Sequence, residues 1–331
     1  MIFNIFIILL SAAFLVYFGI SENGLLDLVK NAMEFNKMWL FVALFFHLLN
    51  IFIDACLIHR FTCSTGKQYP FKNAFKTSMV GQFFGAITPC ASGGQPMQIY
   101  SMRKQGIDTG HSTSALVQKF LVYQNSITAY GAASILFKKK IFLSHVPPAA
   151  HWLSLLGFVS QSLVIILLFL FSFNRPITHK IIKVVFNWLA KLKLIKNVDE
   201  KSAKVETQLN YFHDNNAKFY KSKKLVLAVY ALTFFQLTCM FVVPYFIYRS
   251  FNLYGAKISD MVAAQSFVTM ASAFVPLPGG TGAAEGSFFA FFSIFFTEST
   301  IKSAVLLWRI MTYFLTILIS APFSGTYTDH D

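Results

Sequence analysis

Val275-Pro276-Leu277-Pro278-Gly279-Gly280-Thr281-Gly282-Ala283-Ala284-Glu285-Gly286 interrupts an otherwise apolar stretch running roughly over 259–297, and this interruption decides the fold. Proline removes a backbone donor and glycine weakens a helix, so a cluster of both breaks a helix rather than bending it. An earlier apolar stretch, roughly 71–102, is broken in the same way by Ile87-Thr88-Pro89-Cys90-Ala91-Ser92-Gly93-Gly94-Gln95-Pro96. Irregular backbone survives at membrane depth only where protein buries it or a wet cavity receives it. The two breaks, with Pro89, Pro96, Pro276 and Pro278 as the helix-breaking residues, predict two re-entrant helical hairpins. A pair of kinked, continuous helices is the alternative.

The rest of the chain supplies the bundle around them. A crossing helix takes about 20 mainly apolar residues. The segments 2–19, 38–58, 116–137, 149–173 and 225–248 qualify, and a sixth, 303–323, carries Arg309. The expectation is an all-α polytopic membrane protein with about six full spans plus the two hairpins. Of the 331 residues, 55% are hydrophobic and 13% charged, about half the charged share of a soluble domain, so much of the surface is expected to face hydrocarbon. The segment 2–19 has no Lys or Arg before Lys30 and reads as a retained span, not a cleaved signal.

Net charge is +14, and its basic residues lie between the apolar stretches, which fits the positive-inside rule and anionic lipid head groups; no nucleic-acid partner is expected. Cys56, Cys63, Cys90 and Cys239 form no CxxC pair and no metal-ligand spacing with histidine, so no metal, disulfide or cofactor is expected. A GxxxxGK[ST] motif is absent, which argues against ATP-driven transport by this chain.

With both breaks re-entrant and the N-terminus cytoplasmic, the inside loops 59–77, 103–115 and 174–224 hold 18 Lys or Arg against 8 outside, which favours this orientation and places both termini inside. Lys138-Lys139-Lys140 falls on the wrong side. Two halves follow, 1–137 and 149–323, each reading span, span, broken hairpin, span. Three crossings per half is odd, so the second half is expected to be inverted, the pattern that sets a transporter's binding site at the repeat interface. Gln95 and Glu285 stand 190 residues apart, as do Lys119 and Arg309, while the glycine pairs 93–94 and 279–280 stand 186 apart and call for a small gap. Between the halves, 174–224 is a basic cytoplasmic insertion. Its Ile177, Ile181, Val185, Trp188, Leu192 and Ile195 recur at helical spacing with Lys180, Lys183, Lys191 and Lys196 on other faces, which suits a helix lying in the interface or an ordinary solvated linker.

Charges at membrane depth need a partner or a wet cavity. Glu285 and Arg309 are accordingly candidates for binding a charged head group, the guanidinium forking onto phosphate; a buried ion pair fixing the hairpin is the structural alternative. Gly279, Gly280 and Gly282 can present backbone N–H groups at the start of the helix near Ala283, and Gly93 and Gly94, with Gln95, can do so in the other half. Lys119 either snorkels to the surface or lines the cavity. Asp54, near His59 and Arg60, reads as a local cap or pair at the interface. His47, Gln118, Gln124 and Asn125 suit a wet path or helix-to-helix hydrogen bonds. No arrangement points to catalysis.

Pro278-Gly279-Gly280-Thr281-Gly282-Ala283-Ala284-Glu285 resembles the PGGxGxxE signature of the lysylphosphatidylglycerol synthase transmembrane, flippase-like family. Thr88-Pro89 through Gly93-Gly94-Gln95-Pro96 is similar to that family's earlier Pro/Gly motif, and Arg309 with Tyr313 to its last-helix pattern. The resemblance covers essentially the whole chain. It implies a bacterial cell-membrane module that moves lysylphosphatidylglycerol, or a related aminoacyl or glycosyl lipid, between leaflets, often in resistance to cationic antimicrobial peptides. Two-part family members follow this module with a soluble aminoacyl-transfer domain. The present 331 residues hold no such domain, so lysyl transfer is not expected of them alone; the implied alternatives are a component of a phosphatidylglycerol lysyltransferase and a scaffold for lipid synthesis. Implied partners are anionic or aminoacylated phospholipids and a separate lipid synthase.

Overall fold

A computed structural model of the chain describes residues 35–145, 147–191, 198–273 and 275–325. The expected first span, 2–19, lies outside the described residues. Those described are helical, without a strand. Helix α1 (Lys37–Ser64) begins where the Asn36 side chain accepts from the Met38 N–H, an N-cap contact. One stripe of α1, Met38, Phe41, Phe45, Leu48 and Phe52, is exposed, while Ala43, His47, Ile51, Asp54, Leu57 and Phe61 are buried. A helix apolar on both its exposed and buried faces belongs in hydrocarbon.

The first break is a true hairpin. Helix α2 (Phe71–Ile87) and helix α3 (Gly94–Lys104) lie side by side and antiparallel: Thr77 Oγ1 bonds Ser101 Oγ at 3.0 Å. Further along, a Cβ on Gly81 would strike the Gln98 side chain, and one on Gly94 would stand 3.0 Å from the Gly81 carbonyl, so the arms touch because glycine lets them. Helix α4 (Thr109–His145) starts after Asp108, whose carboxylate accepts from the His111 N–H at 3.2 Å. Burial pushes the Asp108 carboxyl up, but the His111 hydrogen bonds and the Lys67 charge outweigh it and hold it below the usual carboxylate range.

Helix α5 (Pro148–Phe173) turns Trp152, Leu156, Val159, Leu163, Ile166 and Leu170 outward. Helix α6 (Arg175–Lys191) and helix α7 (Val198–Lys221) make up the insertion. Residues 192–197 lie outside the described part, and with them Leu192, Ile195 and Lys196 of the expected amphipathic pattern. Ile177 and Ile181 of that pattern are exposed. Rather than trailing as a linker, α7 packs against α4, where Gln118 Nε2 donates to Asn216 Oδ1 at 2.9 Å.

Helices α8 (Lys223–Phe241) and α9 (Val243–Ser250), interrupted only at Val242, together form the expected span over 225–248. The break at Val242 has a local cause: Pro244, at the start of α9, has no N–H for the preceding turn. Helix α10 (Ile258–Ser272) and helix α11 (Ala283–Phe292) form the second hairpin, with the Phe267 and Phe291 rings stacked across it at 5.3 Å. The final segment is helix α12 (Glu298–Arg309), a π turn (Ile310–Phe314) and helix α13 (Leu315–Ser324).

Among the described residues, four helical segments are long and apolar enough to cross a membrane: Lys37–Ser64, Trp152–Phe173, Lys223–Ser250 and Glu298–Ser324. The first and third each run 28 residues and begin 186 residues apart. Helix α4, which contains the expected span 116–137, has the length, but Gln118, Gln124 and Asn125 lower its hydropathy and two of them bond neighbouring helices: Gln118 as above, and Asn125 through Nδ2 to the Tyr230 hydroxyl at 3.0 Å. Lys138, one of the lysines against the charge rule, has a local partner in Asp260 at 2.7 Å.

The halves interlock. Helix α2 of the first hairpin packs on α13, and α10 of the second packs on α4 and α5. The largest core forms around the second hairpin and α12, where Phe288 stacks on Phe292 at 4.1 Å and on Trp308 at 4.8 Å. The tips of the hairpins meet in an isolated antiparallel bridge between Pro89 and Pro278.

Candidate functional site

Both tips use one backbone turn. Cys90 and Ala91 follow Pro89 with φ of 51° and 54°, and Gly279 and Gly280 follow Pro278 with φ of 61° and 62°. Left-handed backbone costs a non-glycine residue about 1–3 kcal/mol, so the first tip holds strain that glycine removes from the second. The bridge, the left-handed pairs and the starts of α3 and α11 share a single offset of 189 residues. The gap expected from matching Gly93-Gly94 to Gly279-Gly280 is therefore not needed: the residues answering to Gly279-Gly280 are Cys90-Ala91.

Glu285 and Arg309 meet as expected, and the geometry is that of a strut. Arg309 donates from Nε to Glu285 Oε1 at 2.7 Å and from Nη2 to the Gly279 carbonyl at 3.0 Å. The other Glu285 oxygen, Oε2, accepts from the Gly282 N–H at 2.6 Å. The anion at the start of α11 is thus the chain's own carboxylate, which suits the positive end of a helix dipole. Both side chains are buried, Glu285 at 2% and Arg309 at 4% exposure, and neither borders the cavity described next. In the first tip, the Gly93 N–H donates to Thr88 Oγ1 at 2.8 Å and the Gly94 N–H to the Ala91 carbonyl. With the Gly280 N–H donating to the Leu277 carbonyl at 2.9 Å, four of the backbone donors that the sequence offers to an anion are committed internally.

Tyr313, in the π turn, ties the strut to the first half. Its hydroxyl donates to the Ala86 carbonyl at 3.1 Å, and its ring lies so close to Gly279 that a Cβ there would come within 2.3 Å. Only glycine meets both the left-handed φ and this approach.

Beside the paired tips lies a cavity of about 770 Å³, within the range of small-molecule and head-group sites. Cys90, Ala91 and Ser92 of the first tip and Gly279 of the second border it, with Gly94, Gln95 and Gln98 from α3 and Thr312, Tyr313 and Thr316 from the last segment. Of the expected site residues, Gly94, Gln95, Lys119 and Gly279 reach this wall, while Gly93, Gly280 and Gly282 do not.

The cavity's charge comes from Asp54 and Lys119, paired at 2.5 Å. Asp54 Oδ2 also accepts from Ser78 Oγ at 2.6 Å and Oδ1 from Gln236 Nε2 at 3.4 Å, so α1, α2, α4 and α8 converge on one carboxylate. This corrects the reading of Asp54 as a local partner of His59 and Arg60. The side chain turns inward along the buried face of α1, and the missed signal is its register with His47 and Ile51 on that face. The buried Gln236 Oε1 has no hydrogen-bond partner among the described residues and stands ready to accept from a ligand. His47 Nε2 bonds Thr316 Oγ1 at 2.9 Å, the helix-to-helix contact that was one of its two readings.

Residues 2–320 match the family described as the lysylphosphatidylglycerol synthase TM region. The chain belongs to this family. Its relatives include a Mycoplasma genitalium protein named Uncharacterized protein MG306, 24% identical over 95% of the present chain and 84% of the relative. An Archaeoglobus fulgidus UPF0104 membrane protein is 24% identical over 77% and 76% of the two chains. The Mycoplasma pneumoniae homologue of MG306 is 25% identical over 74% and 67%. As a lysylphosphatidylglycerol synthase TM region protein with several long apolar helices, the chain is a multi-pass membrane protein.

Proposed function

We propose that the chain moves a polar phospholipid between membrane leaflets, its head group held in the Asp54–Lys119 cavity while the acyl chains stay in hydrocarbon. The observation that carries this reading is a cavity of about 770 Å³ inside an apolar helical bundle, with the Asp54–Lys119 pair on its wall, where two matched hairpin tips meet. In this reading the hairpins are re-entrant, the halves are inverted repeats, and parting of the tips exposes the cavity to one side and then the other. Lys119 provides the cation for the phosphate, Asp54 a counter-charge for an amine, and Gln95, Gln98 and Gln236 neutral hydrogen bonds. Lysylphosphatidylglycerol, or another aminoacyl or glycosyl lipid, is the substrate the family name favours, and the insertion 174–224 lies on the cytoplasmic side.

The test uses the full chain in phosphatidylcholine vesicles carrying labelled phosphatidylglycerol or lysylphosphatidylglycerol, with the leaflets read separately. Transbilayer movement is expected. Lys119→Met should weaken it about 10- to 100-fold, the worth of one charge-assisted hydrogen bond of roughly 1.5–3 kcal/mol. Vesicles in which neither lipid moves faster than in protein-free controls would refute the proposal. New aminoacyl lipid formed from phosphatidylglycerol and lysyl-tRNA would assign synthesis instead.

A further inference from the structure

We propose that Asp54 is a proton-binding site, and that an anionic head group without an amine enters the cavity by taking Lys119 from Asp54 while Asp54 takes up one proton, an amine on the head group taking the proton's place where there is one. This rests on the head-group reading above and adds an energy source to it.

The argument is one of charge balance. Asp54 and Lys119 neutralise each other at 2.5 Å, with side-chain exposures of 9% and 16%. A phosphate that binds Lys119 must compete with this carboxylate, and the site then holds two anions and one cation. In surroundings that solvate charge poorly, a carboxylate separated from its cation is strongly disfavoured, and adding a proton is the cheapest remedy. The neighbours suit the protonated form. A carboxylic acid at Asp54 keeps Ser78 and Gln236 beside it, and the unpartnered Gln236 Oε1 offers an acceptor for the new O–H. Among the described residues no second cation lines the cavity to do the proton's work. Lys119 and Tyr123 face the pair from α4, α2 and α8 present the uncharged Ser78 and Gln236, and α3 presents Gln98. His47 on α1, Cys90 at the first tip and Tyr313 in the π turn are the other titratable groups on the wall.

The structure thereby assigns the chain a proton-coupled mode of transport: one proton travels with each anionic head group, and the empty cavity returns with Asp54 and Lys119 re-paired. The charge of the occupied site equals that of the empty one, so neither passage carries an unbalanced charge across the bilayer.

The test is calorimetric titration of the purified full-length protein in detergent with dioctanoyl phosphatidylglycerol, in two buffers of unlike ionisation heat. One proton taken up per lipid bound is expected, with affinity falling about tenfold per unit rise in pH where the free pair is ionised. Asp54→Asn, which keeps the size of the side chain and turns one accepting oxygen into a donor, should bind without proton uptake and with an affinity flat in pH. Saturable binding by the unmodified protein with no proton uptake would overturn the coupling and leave the head-group site standing. No saturable binding by the unmodified protein would overturn the head-group site as well. Uptake that persists in Asp54→Asn and is lost in His47→Gln would move the proton to His47 and defeat the assignment. Should Asp54→Asn fail to fold, His47→Gln decides: uptake that persists in it supports Asp54, and uptake lost in it defeats the assignment.

Discussion

Arg309→Ala should cost about 3–5 kcal/mol of stability, the penalty for leaving one member of a buried ion pair alone. Its removal strands Glu285 at 2% exposure and frees the Gly279 carbonyl, which Arg309 Nη2 holds at 3.0 Å. Glu285→Ala should fall in the same range, because it leaves the guanidinium unpaired and opens the Gly282 N–H that Oε2 receives at 2.6 Å. The double variant should recover part of the loss, since no lone charge remains. Thermal unfolding of all four forms in one detergent checks this, and strictly additive losses would show that the two side chains do not act as a unit. The reading of the pair as a strut makes a second demand. Glu285→Gln preparations that remain folded should still bind phosphatidylglycerol, because the cavity and its Asp54–Lys119 pair lie apart from the strut. Loss of binding with folding intact would return Glu285 to the head-group site.

Joining the two tips should stop transport altogether. Bridged antiparallel residues have Cα atoms about 4.5–5.5 Å apart, inside the usual range of a disulfide. Pro89→Cys with Pro278→Cys, in a chain whose exposed Cys90 is replaced by Ser, should therefore cross-link under mild oxidation. Each half should then be unable to leave the other, and lipid movement should fall to that of protein-free vesicles and return on reduction. Either single cysteine variant should move lipid under oxidant. A fully cross-linked protein that transports at the original rate would mean that the tips stay together through the cycle, and the alternating-access reading would be wrong.

Much of this architecture was legible from residue types. Apolar runs and Pro/Gly clusters located the long helices and both hairpins, since span length and missing backbone donors act locally. Glu285 and Arg309 stood out because charges in apolar stretches are rare, and they do meet. Their role was less legible, because whether a buried pair is exposed to a cavity depends on packing between distant segments. Asp54 shows the same limit. Near His59 and Arg60 in sequence, it turns instead toward Ser78, Lys119 and Gln236, which come from three other helices. Matching glycine to glycine also misled, since the first tip adopts the left-handed turn with Cys90 and Ala91. Backbone shape was repeated there, and residue type was not. The interruption at Val242 within the expected span was within reach, as Pro244 announces it.

The interlocking of the halves has a consequence for how the protein is made. Helix α2 packs on α1 and α3 and also on α13, the last described helix, so one face of the first hairpin stays uncovered until α13 has been made. At about 5–20 residues per second, the 227 residues between Ile87 and Leu315 take roughly 11–45 s to synthesise. Throughout that interval the face of α2 that takes α13 is unfilled. Assembly of this chain is in that sense a closing step: the final segment arrives, Tyr313 reaches Ala86, and a half-built bundle becomes a single body.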